Sequence, residues 1–162
     1  MHSTSLFTTV INRMILLLIV LLMNGCGQFL TKSDYTLLPN QGVPECPPEK
    51  AMVVFLFVET YDFDVTLVVY RNGAAFGALH AGSYFYDIVD PGKYDFWVDS
   101  GLIEKSRERV SVVAKPGKTY FARYTPGGYY VVAKLDFISE DAATAYLGTL
   151  DYVQAKNMNS GR

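Results

Sequence analysis

Apolar and polar positions divide the chain into two unlike parts. Near the start, Met14 to Met23 are apolar without a break. From Ala51 onward, apolar runs are short and regularly punctuated. AMVVFLFVE, residues 51–59, is rich in Val and Phe and bounded by polar chain, which predicts a buried strand rather than a helix. Within VTLVVYRNGAAFGAL, residues 65–79, two apolar segments flank Asn72-Gly73. That dipeptide between apolar runs predicts a tight hairpin. SYFYDIVD, residues 83–90, reads as a further strand. In KYDFWVD, residues 93–99, Tyr94, Phe96 and Val98 share one face, while Asp95, Trp97 and Asp99 share the other. RVSVV, TYFARY and YYVVAKLDF, between residues 109 and 137, are short and dominated by β-branched and aromatic side chains, again as strands are.

One turn motif recurs. Asp90-Pro91-Gly92-Lys93, Lys115-Pro116-Gly117-Lys118 and Thr125-Pro126-Gly127-Gly128 each precede an aromatic strand. Proline presets φ at the first central position of a type II turn, and glycine accepts positive φ at the second. The pattern predicts an all-β fold, an antiparallel β-sandwich of about seven strands. A short C-terminal helix follows: Ser139 caps it, Glu140 and Asp141 suit its positive end, and Ala142, Ala143, Ala145 and Leu147 favour it. The sandwich domain is expected over residues 51–150, with residues 151–162 as a flexible tail. Residues 27–50 carry Pro39, Pro44, Pro47 and Pro48 among scattered polar residues. They read, together with Cys26, as an extended tether (26–50).

The early apolar block is too short to cross a bilayer, which takes about twenty apolar residues in a helix. Its length fits the apolar core of a secretory signal, with Arg13 supplying the positive charge before it. Met23-Asn24-Gly25-Cys26 resembles the lipobox of bacterial lipoproteins. The resemblance implies cleavage between Gly25 and Cys26, removal of residues 1–25, alkylation of the Cys26 thiolate by a diacylglycerol and acylation of the new amine. Asn24 is bulkier than that pattern usually has, and Met23 stands where leucine is commoner. Several acyl chains, at about 0.8 kcal/mol per buried methylene, hold a protein stably at a membrane. Gly27 stands where an aspartate would retain such a lipoprotein at the inner membrane. The resemblance therefore implies lipid anchoring at the outer membrane, facing the periplasm.

Composition narrows the chemistry. The chain carries 14 basic and 16 acidic side chains, and no basic patch is dense enough to predict a nucleic-acid partner. Beyond the leader, Cys26, Cys46 and His80 remain. With Cys26 lipidated, Cys46 is an odd thiol, and one Cys with one His cannot build a structural zinc site. Cys46 lies in proline-rich VPECPPEK, a poor place to hold a nucleophilic dyad with His80. PGKT, residues 116–119, looks like the end of a phosphate-binding loop, but Val112 stands where that motif needs glycine, and a strand follows where it needs a helix. Glu59, Asp62 and Asp64 are too few for calcium, which takes six to eight oxygens. No metal, cofactor or catalytic residue is predicted. Trp97, Tyr129 and Tyr130 are the candidates for an interaction surface, because alternation sets some of them apart from the core-facing positions.

Val69-Tyr70-Arg71-Asn72-Gly73, Gly77, Leu79, Gly82-Ser83-Tyr84-Phe85, Pro91-Gly92-Lys93-Tyr94 and Pro116-Gly117-Lys118-Thr119-Tyr120 form an ordered series over about residues 51–145. The series resembles a family of small Gram-negative lipoproteins defined by a domain of unknown function, and is distantly similar to PEGA-type surface domains. The resemblance implies a compact β-sandwich and brings no catalytic residues. The expected function is a lipid-anchored, non-catalytic binding or assembly module of the cell envelope, with an envelope protein or a glycan as partner. The alternatives are an inhibitor or immunity-type lipoprotein that blocks an incoming hydrolase, and an envelope hydrolase using carboxylates such as Asp62, Asp64 or Asp87.

Overall fold

The computed structural model describes residues 35–60, 66–99, 109–127 and 134–155. They form ten strands and one helix. The strands are β1 (Tyr35–Leu38), β2 (Ala51–Phe57), β3 (Thr66–Arg71), β4 (Ala74–His80), β5 (Ser83–Val89), β6 (Gly92–Asp99), β7 (Val110–Ala114), β8 (Thr119–Thr125), β9 (Lys134–Ile138) and β10 (Asp151–Ala155). The helix, α1, spans Glu140–Leu147. One sheet has the order β1-β10-β5-β2-β8-β9 and the other β4-β3-β6-β7. The all-β sandwich with a short helix near its C-terminus is therefore present.

Two features of the strands differ from expectation. There are ten rather than about seven, and the six-stranded sheet is mixed. β2 runs antiparallel to β5 but parallel to β8, and β10 runs parallel to β5. β2 lies inside its sheet and is buried at all seven positions. That is the physical reason for its unbroken apolar run, since a strand covered on both faces has no polar side to alternate.

The two faces of β2 pack on different layers. Val53, Phe55 and Phe57 join Leu67, Val69, Phe96 and Val98 of the four-stranded sheet in the core between the sheets. Phe55 is the hub of an aromatic cluster, 5.0 Å from Phe85, 5.1 Å from Phe96 and 5.6 Å from Phe76 between ring centroids. Met52, Val54 and Leu56 face the other way, onto Ala143 of α1, Leu150 and the partly buried Val43 and Cys46. The Ser139 hydroxyl accepts the Ala142 N–H at the start of α1, and Glu140 and Asp141 lie in its first turn. These are the capping groups read from the sequence.

Residues 35–50 are part of the folded body, not a tether. β1 pairs with β10 antiparallel from Tyr35↔Ala155 to Leu38↔Tyr152. Beyond it, the Tyr84 hydroxyl accepts the Gln41 N–H at 3.2 Å and donates to the Gly42 carbonyl at 3.1 Å. Asn40 donates its side-chain amide to the Leu147 carbonyl at the end of α1. The same pairing removes 151–155 from the expected tail, and residues 156–162 lie outside the described residues. Backbone groups of Gln41, Gly42 and Lys50 thus find partners elsewhere in the domain.

Two of the three Pro-Gly motifs act as sheet-crossing arches, and the third, Thr125 to Gly128, runs out of the described residues after Gly127. Pro91-Gly92 links β5 in one sheet to β6 in the other, and Pro116-Gly117 links β7 to β8 across the same gap. Gly117 has φ +67° and Lys118 N–H bonds back to Lys115 O at 3.2 Å, as a type II turn requires. Gly92 instead opens β6 without positive φ. The Asn72-Gly73 hairpin forms as read: both residues have positive φ, and β3 pairs antiparallel with β4.

Candidate functional site

The outward face of the four-stranded sheet carries the candidate site. On β6 the core takes Phe96 and Val98, so Lys93, Asp95 and Trp97 face away from it. Tyr70 of β3 is the cross-strand partner of Trp97. Their rings stack at 5.2 Å with 2° between planes. On the other flank, Arg109 immediately precedes β7, and its guanidinium carbon lies 4.7 Å from the Trp97 centroid. Tyr70, Trp97 and Arg109 thus form a row across three neighbouring strands. Aromatic stacking of this kind contributes about 0.5–1.5 kcal/mol and an exposed cation–π contact about 0.5–1 kcal/mol. Trp97 is thereby tied to Tyr70 on β3 and to Arg109 at the start of β7.

Beside this row lies an open cleft of about 370 Å³, lined by Asn72, Gly73, Lys93, Asp95, Trp97 and Arg109. Its floor is built by the hairpin. Asn72 N–H donates to the Asp95 carbonyl at 2.9 Å, and Asp95 N–H donates to Asn72 Oδ1 at 2.9 Å. The Ser111 hydroxyl donates to Asp95 Oδ1 at 2.5 Å. Asn72 is held at φ 49°, a conformation asparagine tolerates better than most residues. The cleft therefore combines fixed polar groups, two basic side chains and one aromatic wall.

Of the three residues expected on an interaction surface, Trp97 takes its place here. Tyr129 and Tyr130 lie outside the described residues, as do Gly25 and Cys26. The sequence reading missed Tyr70, Arg109, Lys93 and Asn72. Alternation put Lys93 and Trp97 on one face, but Tyr70 and Arg109 join them only through strand register.

The other singled-out residues lie elsewhere. Asp62 and Asp64 are outside the described residues. Asp87 sits on the core side of β5 and pairs with Arg71 of the facing sheet. Burial raises its carboxyl pKa above the ordinary value, against the opposing pull of the Arg71 charge. Glu59 pairs with Arg123, whose guanidinium also lies 5.0 Å over the Tyr146 ring of α1. Among the described residues no group of three or more His, Cys, Asp or Glu could hold a metal ion.

His80 is buried at the end of β4. Its ring lies 4.3 Å from that of Tyr35, a member of the inter-sheet core. Cys46 packs on the helix-side cluster, with its Sγ 3.4 Å from the Lys50 carbonyl oxygen and 3.6 Å from that of Lys118. The six-stranded sheet separates the two, so they form no dyad. Cys46 is a thiol built into the body, not a linker residue.

No protein-family model matches the chain, and no curated protein matches it either. No helix among the described residues is long and apolar enough to cross a membrane.

Proposed function

We propose that this chain is a lipid-anchored, non-catalytic binding module of the cell envelope. In this reading Cys26 carries the lipid, and the outward face of the four-stranded sheet takes the partner. The observation that carries the reading is the row Tyr70–Trp97–Arg109 beside a polar cleft. An immobilised aromatic residue flanked by fixed donors and acceptors, on a rigid sheet, is the arrangement recognition sites favour. The resemblance of residues 23–26 to a lipobox supports the anchor. The body begins by Tyr35, so the link from Cys26 is nine residue steps long. Fully extended it spans about 30 Å. The module would therefore work close to the membrane surface rather than on a long stalk.

The test is photo-cross-linking in intact cells. A benzophenone side chain replaces Val113, which is 63 % exposed on β7 beside the cleft, or Glu140 at the start of α1 on the opposite layer. The reading expects adducts from position 113 and none from position 140. Adducts from position 140 alone, or from neither, would contradict it.

A further inference from the structure

We infer that the cleft beside Trp97 binds a sugar bearing a single carboxylate, the acidic unit of an envelope glycan. This rests on the outward sheet face being the binding face and adds the chemistry of its ligand. The cleft is lined by two cations, Lys93 and Arg109, and one carboxylate, Asp95. Among the described residues neither cation is in an ion pair. The balance of one positive charge suits one anionic group.

Each lining residue has a separate part. Arg109 holds its guanidinium carbon 4.7 Å from the Trp97 ring centroid and has no carboxylate partner among the described residues. The guanidinium N–H fork matches the two oxygens of a carboxylate. Lys93 adds a second positive charge. Asp95 Oδ1 accepts the Ser111 hydroxyl, and its other oxygen, with no partner among the described residues, is an acceptor for a ligand hydroxyl. Asn72 spends Oδ1 on the Asp95 amide and keeps its NH₂ as a donor.

A carboxylate in the cleft weighs against a polyanion, because a second and third phosphate would meet like charge. It favours a ligand that mixes one anionic group with hydroxyl donors, which is the composition of a uronic-type sugar. The cleft volume lies at the small end of ligand sites, about 300–1,000 Å³, and suits one or two sugar rings. Lys93, Asp95 and Trp97 stand on strand β6 and Asn72 on its hairpin, so the donors and the acceptor are placed before any ligand arrives.

Trp97 is the only tryptophan in the chain and lines the cleft, so its fluorescence reports occupancy directly. The full-length protein, extracted in detergent micelles, is titrated with glucuronate, glucose, acetate and acetyl-dialanine. The expected result is a saturable change with glucuronate, with each of the other three at least tenfold weaker. Arg109→Gln and Lys93→Gln should each weaken glucuronate at least tenfold, with the thermal midpoint unmoved in Lys93→Gln and lowered by no more than about 4 °C in Arg109→Gln, which loses its contact with Trp97, and Arg109→Lys should recover only part of the loss. Glucose matching glucuronate would overturn the anionic requirement, and acetate matching it would overturn the sugar. Acetyl-dialanine matching it would assign the cleft to peptide termini instead. Cross-links from position 113 without any glucuronate response would keep the binding face and remove this ligand. Silence in both experiments would remove the face as well.

Discussion

Replacing Gly77 with alanine tests how closely the two sheets approach. Gly77 lies on β4 opposite Val69, where a Cβ would fall 2.5 Å from Cζ and 2.7 Å from Cε2 of Phe85 on the facing sheet. Ordinary carbon contact needs about 3.5–4.0 Å, so something must move by about 1 Å. The Phe85 ring has little room to give: it is 6 % exposed, stacks on Phe55 at 5.0 Å and meets Phe76 at 5.8 Å. Overpacking of this kind costs about 1–3 kcal/mol. Alanine returns about 0.4–1 kcal/mol by stiffening the unfolded chain. The net loss is about 1–2 kcal/mol, or a fall of about 4–8 °C in the thermal unfolding midpoint at about 4 °C per kcal/mol. Phe85→Leu makes room, so in the double variant the alanine should cost at least about 1 kcal/mol less than it does alone. Circular dichroism melts of the four proteins supply the cycle. A Gly77→Ala protein as stable as the parent, or penalties that add to within about 0.5 kcal/mol, would refute this packing of β4 on β5.

Two further outcomes follow from the hairpin and the tyrosine cluster. At Asn72, with φ 49°, glycine should cost under about 1 kcal/mol, the worth of one exposed hydrogen bond. Valine should cost about 2 kcal/mol or more, because a β-branched side chain is strained there; equal urea midpoints for the two variants would contradict the turn. The Tyr152 pKa is pushed up to about 12 from the ordinary 10.0, by burial first and then by Tyr86. Between those values the folded state keeps a proton that the unfolded chain has lost. Stability should therefore be whole below pH 10 and fall as pH rises toward 12. Tyr152→Phe should flatten that fall in urea titrations across the window; an unchanged slope would show that Tyr152 does not drive it.

The strands and the helix could be read locally because each depends on a short pattern. Asn72-Gly73 sets its hairpin through backbone conformation alone, and Ser139 caps α1 with its own hydroxyl. The misplaced boundaries depend on distant partners. Tyr35–Leu38 becomes a strand because Tyr152 to Ala155 lies beside it, more than a hundred residues later. Proline content argued for a free tether and carried no information about that pairing. The parallel contact of β2 with β8 is equally non-local, and the Pro-Gly arches have the residues of hairpin turns. The site was half visible. Alternation sets Trp97 off the core face, whereas Arg109 reaches it only because Val110 pairs with Phe96.

The central claim is that a lipid on Cys26 holds this sandwich at a membrane, and the mass of the protein purified from membranes tests it most directly. The expected species begins at Cys26 and carries a diacylglyceryl group on sulfur with a further acyl chain on the amine, and Cys26→Ser should abolish both the cut and the added mass. A membrane-extracted chain that still carries residues 1–25, or one that begins at Cys26 with a bare thiol, would contradict the anchor and the function proposed from it.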